Sequence, residues 1–330
     1  MSKVVDAFVA NFKKSGLVNR IMMTGANGSL GNELLPYLIK LYGKENLLLT
    51  DIRNTTGLPE KQFRVLDMAD RKEMERLIKE FKPDTFLHLG SILSAAGEKN
   101  PQFTLTVNCQ GSQNAIELAA EYKLRIFGAS TIASMGPQSN KHLKNLEIQR
   151  PKTVYGISKV FMEILGEYYN HKHKLDFRSI RYPVVIAPSQ APGATAACTI
   201  DIYYGALKEK KYKMYLKPEQ RLPIIYIDDL ITGTLQFIEA PNEKLKYRVY
   251  NISSDSFTIG EQVENIKKYI PDFQVTYEID ERQKIADTWP WSSDPTEAME
   301  HWGYQKNYDL DAITRAMLEK VPDMIKQYQS

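Results

Sequence analysis

Along the first half of the chain, short apolar runs alternate with longer stretches in which apolar residues recur at helical spacing. That rhythm is the signature of βαβ units wound around a parallel sheet. It predicts strands at 20–24, 46–50, 63–66, 85–89, 124–129 and 177–182, with helices at about 30–42, 71–81, 101–122 and 154–172 between them. Pro36 lies inside the first of these helices and predicts a bend, because proline removes one backbone donor. Beyond Pro183 the rhythm breaks. The loop-rich stretch APSQAPGATAA at 187–197 gives way to a helix at 200–208, a strand at 223–228 that runs into another helix, and a strand at 247–253. A helix at 257–269, a strand at 273–279 and a last helix at about 309–328 complete the pattern. The expected fold is α/β: a doubly wound, Rossmann-type parallel sheet with a smaller C-terminal α/β substrate lobe. The nucleotide-binding domain spans 1–186, with 211–254 rejoining it, and the lobe is built from 187–210 and 255–330.

Composition then narrows the class. With 330 residues, 43% hydrophobic and 25% charged, the chain has the make-up of an average globular protein with a sizeable core. The net charge of +3 comes from interspersed charges rather than blocks, so no nucleic-acid partner is expected. The densest basic stretch, KEKKYK at 208–213, reads as a solvated helix end or loop. Cys109 and Cys198 form no C-x-x-C or disulfide framework, which suits a reducing compartment. No Cys/His spacing resembles a zinc site, so no metal is expected. No apolar run reaches membrane-spanning length, so no membrane partner is expected either. The first 20 residues carry Lys3, Lys13, Lys14 and Arg20 against Asp6 among apolar residues, a pattern that fits a surface helix or the remnant of an organelle-targeting segment. The expected location is intracellular, the mitochondrial matrix in a eukaryote and otherwise the cytoplasm.

The strongest local signal is VNRIMMTGANGSLGNELL. A short apolar strand ends at Thr24, and Gly25, Gly28 and Gly31 follow as G-x-x-G-x-x-G before a helix. Glycine permits the tight turn and the close approach of a pyrophosphate, while the helix N-terminus offers N–H donors and positive potential. Gly25, Asn27, Gly28, Ser29, Leu30 and Gly31 are therefore candidate cofactor contacts. The second strand ends LLLTDIR, which places Asp51 20 residues after Gly31, with Ile52 beside it. An acid there accepts from both hydroxyls of an adenosine ribose and repels a 2′-phosphate, favouring NAD over NADP. Arg53 tempers that preference, since a guanidinium can take the phosphate.

Ligands of such sheets bind at the carboxyl ends of the strands. FLHLGSILSA presents Leu89, Gly90 and Ser91 there, and RIFGASTIASMG presents Ser130 and Thr131. Hydroxyls at strand ends are often helix caps; the helix after the second strand changes the reading. It opens with TVYGISK, in which Tyr155 and Lys159 share one helix face. Spacing alone carries little, because the 19 tyrosines give Tyr168/Lys172 and Tyr204/Lys208 as well. Position singles out Tyr155/Lys159. A free tyrosine, with a pKa of about 10, is a poor base near neutrality, but a neighbouring ammonium and an oxidised nicotinamide favour its phenolate. Tyr155 is then the general base that takes a hydroxyl proton as hydride leaves the same carbon. Thr131 holds the oxygen, and Lys159 also holds the ribose.

These motifs carry a family resemblance. TGANGSLG, LDM at 66–68, HLGS at 88–91, Asn108, ST at 130–131, YGISK and RYP at 181–183 resemble the extended short-chain dehydrogenase/reductase family in order and spacing. Within it, DIR, GSILSA, STI, YGISKV, MEILGEYY, LDFRSIRYP, the PG at 192–193 and IADTWP at 285–290 are similar to the short-chain-type L-threonine 3-dehydrogenases. The resemblance implies NAD as cofactor, with Asp67 and Met68 at the adenine and Leu89, Gly90 and Ser91 at the middle. Val185 comes at the carboxamide side of the nicotinamide, and Asn108, Tyr182 and Pro183 are further contacts. It implies an amino-acid substrate met by Ser91, Thr131 and Tyr155, with the 190–197 loop and Trp289 closing over it. The reaction so implied is oxidation of the 3-hydroxyl of L-threonine, in a homodimer joined through helices that include 101–122 and 154–172. The chain departs from the group at Val184, where glycine is usual after RYP, and at PGATAACTID, where a PGGGTTD-like loop is usual; Thr195 stands in for one lost threonine. Trp291 in WPWSSD is also unusual, and core packing of the smaller lobe competes with a lid role for the tryptophans. Two other readings share the fold: a nucleotide-sugar epimerase or dehydratase, and a non-catalytic dinucleotide-binding protein.

Overall fold

The computed structural model describes residues 2–55 and 58–329. Its centre is a seven-stranded parallel sheet. The first five strands are β1 (Ile21–Thr24), β2 (Leu47–Asp51), β3 (Phe63–Val65), β4 (Thr85–His88) and β5 (Arg125–Thr131). The order across the sheet is Val249–Asn251, Phe177–Tyr182, β5, β4, β1, β2, β3. Because the chain builds outward from β1 to β3 and then returns to β4 on the other side, a crevice opens beyond the carboxyl ends of β1 and β4.

Both faces of the sheet are covered, so its strands are largely buried and alternate residues enter two cores. Met22, Leu48, Phe86 and Ile126 pack on one side. Met23, Leu49, Leu87 and Phe127 pack on the other, in a cluster that continues through Ile186, Tyr203, Ile224 and Phe257 to Ile313. The C-terminal residues therefore share a contiguous core with one face of the sheet.

The strands expected in the first half lie within two residues of their places, as do the helices Arg71–Phe81 and Val154–His173. The helix Ser29–Tyr42 runs through Pro36 as one element. The stretch expected as one helix at 101–122 is Pro101–Leu105, a π turn at Thr106–Gln110, and Gly111–Glu121. Of the two strands expected to rejoin the main sheet, Val249–Asn251 does so beside Phe177–Tyr182. Arg221–Tyr226 does not: it pairs with Val184–Ile186 in parallel and Asp255–Thr258 in antiparallel, forming a separate three-stranded sheet. The cause is Pro183, which offers no N–H to the ladder after Tyr182, so the chain steps off the main sheet there. KEKKYK starts at the end of the helix Cys198–Lys208, as expected, but continues as a strand, Lys211–Met214, paired with Gln274–Tyr277. The N-terminal segment forms the helix Lys3–Asn11, which buries Val5 and Val9. Among the described residues no helix is long and apolar enough to cross a membrane.

Candidate active site

A cleft of about 670 Å³ runs along the carboxyl ends of the strands, from Asp67 and Ile52 at one end to Thr195 and Trp289 at the other. The glycine loop forms its floor. Gly25 has φ +70, and a Cβ there would come within 2.5 Å of the Gly90 nitrogen, so the loop packs directly on the backbone that follows β4. The helix Ser29–Tyr42 starts at Gly28 without a side-chain cap, which leaves its first N–H groups to the cleft. Asp51, at the end of β2, accepts from the Asn27 N–H at 3.0 Å and the Ile52 N–H at 2.8 Å. Its carboxylate is thereby held at the rim.

The opposite wall is built from β5 and the helix that follows. Thr153 caps that helix by accepting from the Gly156 N–H at 3.1 Å, which puts Tyr155 in the first turn. Gly156 lets the helix lie against the 132–134 turn, since a Cβ there would meet the Ala133 oxygen at 2.2 Å. Tyr155 hydrogen-bonds the Thr131 side chain. One turn on, the buried Lys159 ammonium lies 5.6 Å from the Tyr155 ring centre and donates to the Ala129 oxygen at 2.8 Å. Burial pushes the Tyr155 phenol up to about 12, against the pull of the Thr131 hydrogen bond. Burial likewise draws Lys159 down to about 8, opposed by the Glu163 carboxylate. The ammonium and an oxidised nicotinamide together were expected to lower the phenol; in the protein alone burial dominates, opposed by the Thr131 hydrogen bond.

The cleft is lined by Gly25, Asn27, Gly28, Ser29, Leu30, Gly31, Asp51, Ile52, Asp67 and Met68, and by Leu89, Gly90, Ser91, Thr131, Tyr155 and Lys159. Tyr182, Pro183, Val185, Thr195 and Trp289 line it too. Two expected cofactor residues are not on the wall. Arg53 points outward, and its carbonyl takes the Asn27 side-chain amide at 2.5 Å. Asn108, in the π turn, accepts from the Ile92 N–H at 2.8 Å and donates to the Ile92 oxygen at 3.0 Å. It shapes the loop that carries Ser91. Trp302 packs on Phe237 and Tyr250 in the core, while Trp291 is exposed beside Lys141 and His142.

Three features escaped the sequence reading. Ser94 lines the cleft and meets Thr195, hydroxyl to hydroxyl, at 3.0 Å; its sequence signal is its place three residues after Ser91. His88 is buried with Nδ1 3.0 Å from the Thr24 hydroxyl and Nε2 3.2 Å from that of Ser112. Beneath the wall, buried Glu163 accepts from Ser130, from Gln149 at 2.8 Å and from Arg181 at 2.8 Å. Among the described residues no group of three or more His, Cys, Asp or Glu is arranged to hold a metal ion.

Residues 21–253 match the NAD dependent epimerase/dehydratase family. The chain belongs to that family. It is 41% identical over 307 residues to the mitochondrial L-threonine 3-dehydrogenase of Bos taurus, covering 91% of this chain and 82% of the relative. Among solved structures it matches L-threonine dehydrogenase from Phytophthora infestans with a TM-score of 0.90 and 42% identity, over 93% of this chain and 100% of that one. A monomeric L-threonine 3-dehydrogenase of metagenomic origin matches with a TM-score of 0.88 and 36% identity, over 92% and 99% of the two chains. The family and these neighbours imply a nicotinamide dinucleotide cofactor, NAD or NADP, which the glycine loop and the adjoining cleft fit.

Proposed function

We propose that this protein oxidises the 3-hydroxyl of L-threonine to the ketone of 2-amino-3-oxobutanoate, with NAD as the hydride acceptor. The observation that carries the proposal is the meeting of Thr131, Tyr155 and Lys159 in one cleft with the glycine loop and Asp51. The family and the threonine dehydrogenases similar to this chain support it. The nucleotide-sugar reading shares the family, but the threonine dehydrogenases at 36–42% identity favour the amino acid, and the intact Tyr155/Lys159 pair speaks against a non-catalytic role.

In this reading Asp51 selects NAD by accepting from the adenosine ribose, and Asp67 and Met68 flank the adenine. Thr131 donates to or accepts from the substrate's 3-hydroxyl, and Tyr155 takes its proton. When bound, the oxidised nicotinamide supplies the hydride acceptor and a positive charge near the phenol. Lowering the Tyr155 pKa from about 12 to near 9 takes about 4 kcal/mol, comparable with one unit charge at about 4 Å in a partly dry cleft. Lys159, with one N–H on Ala129, has two left for ribose hydroxyls. Ser91, Ser94 and Thr195 supply neutral hydroxyls for the amino acid, and the 190–197 loop with Trp289 closes that end.

The same reading includes a homodimer. Phe103, Ile157, Ile164 and Tyr168 are each about half exposed or more on the helices after β4 and β5, and a second copy of this face would cover them. An intracellular compartment, the matrix in a eukaryote, goes with this role.

The deciding test is NADH absorbance with L-threonine and NAD. NADH is expected with the native protein, and Tyr155→Phe should lose about 10²-fold or more in kcat while still binding NAD. Turnover of UDP-sugars without any from L-threonine would overturn the assignment.

A further inference from the structure

The 187–197 loop joins the strand Val184–Ile186 to the helix Cys198–Lys208 and lines the substrate end of the cleft. It is held at both ends. At its root the Pro188 oxygen accepts from the Tyr204 hydroxyl at 2.6 Å, and the Gln190 amide donates to Asp201 at 2.7 Å. Both partners belong to the helix that follows the loop. Two other bonds cross to the nucleotide-binding half. One joins Thr195 to Ser94 at 3.0 Å; in the other, the Ser189 hydroxyl donates to Glu33 Oε1 at 2.8 Å.

Glu33 sits on the helix Ser29–Tyr42, whose first turn faces the cofactor end of the cleft. Burial raises its carboxyl above the usual range, against the Ser189 bond and the Lys320 ammonium, while Asp228 adds to the rise. Lys320 is itself drawn to Asp228, 3.5 Å away. Glu33 is only part-exposed, and the Ser189 hydroxyl is a side-chain donor that offsets the partial dehydration of its carboxylate. Ser94 and Thr195 line the cleft, so in this reading a bound amino acid competes for their hydroxyls, whereas Ser189 and Glu33 are not among the lining residues.

We infer that Glu33 is a positioning residue, anchoring the root of the substrate loop to the cofactor-binding helix through Ser189. The inference rests on the reading of this cleft as a threonine and NAD site. Glu33 touches neither ligand; it acts through Ser189 and the loop.

The test uses Glu33→Ala, Glu33→Gln, Ser189→Ala and the double alanine variant. Each is assayed for KM and kcat with L-threonine, for NAD affinity by fluorescence titration, and for amide exchange of residues 187–197 at saturating NAD. Glu33→Ala and Ser189→Ala should each raise the threonine KM about three- to tenfold, the range of one lost hydrogen bond. Both should quicken exchange in the loop and leave kcat and NAD affinity within about twofold. Glu33→Gln should stay near the native values, because its amide oxygen still accepts the Ser189 hydroxyl. The double variant should be no worse than either single one, since both remove the same bond. Unchanged KM and exchange in Glu33→Ala, multiplied effects in the double variant, or a Gln variant as impaired as Ala would each overturn the anchor. If the native protein makes no NADH from L-threonine, the functional reading fails, and loop exchange alone then decides the anchor.

Discussion

Asp51 is one carboxylate with two backbone donors already in place, from Asn27 and Ile52. Such preorganisation means that a ribose binding there meets an acceptor whose direction is set, and that its loss should be felt by the nucleotide that needs it. Asp51→Ala should weaken NAD binding about tenfold or more, the value of a hydrogen bond to a charged group, and weaken NADP binding less. Equal losses in fluorescence titrations with the two nucleotides would mean that Asp51 does not touch the ribose. Tyr155 carries the converse lesson. Its pairing with Lys159 was legible from spacing and position, but its pKa was not, because burial is a property of everything packed around it. Ser94 and Thr195 were illegible as a pair for a similar reason: they stand 101 residues apart and meet across the cleft.

Among the elements, β1 and β4 are joined at their carboxyl ends by more than the ladder. His88 on β4 reaches the Thr24 hydroxyl on β1 and the Ser112 hydroxyl on the helix Gly111–Glu121. Burial, and then the charge of Lys159, bring its pKa down to about 3. The unfolded chain takes up that proton near pH 6.5 and the folded protein does not, so the unfolded state binds more protons between about pH 6.5 and 3. Stability is therefore lost as pH falls through this window, by up to about 1.4 kcal/mol per pH unit for one proton. His88→Gln should flatten the fall in unfolding free energy between about pH 6.5 and 5, measured with denaturant. An unchanged slope would show that His88 titrates normally. The boundaries of such elements were mostly legible because caps and apolar runs are local. The π turn at Thr106–Gln110 was not, since its extra residue per turn serves the contact of Asn108 with the Ile92 backbone.

At the scale of the whole molecule, the two faces of the sheet belong to different cores, and one of these runs on into the C-terminal residues. The face made by the helices after β4 and β5 is left with Ile157, Ile164 and Tyr168 in one stripe. A homodimer through that stripe predicts twice 37.8 kDa by light scattering and a monomer for Ile164→Glu with native circular dichroism. A native protein that scatters as a monomer, as the metagenomic relative is described, sinks the dimer.

The sequence by itself determined the parallel sheet, the glycine loop, Asp51 and the Thr131–Tyr155–Lys159 set, because each rests on periodicity, a cap or a spacing within one βα unit. Tertiary structure alone decided that Arg221–Tyr226 leaves the main sheet, that Asn108 and Arg53 stand off the cleft wall, and that Glu33 reaches Ser189. It also decided the direction in which burial shifts Tyr155, Lys159 and His88. Those outcomes depend on which distant segments come together and on how much water they exclude, and neither is written in any short stretch of chain.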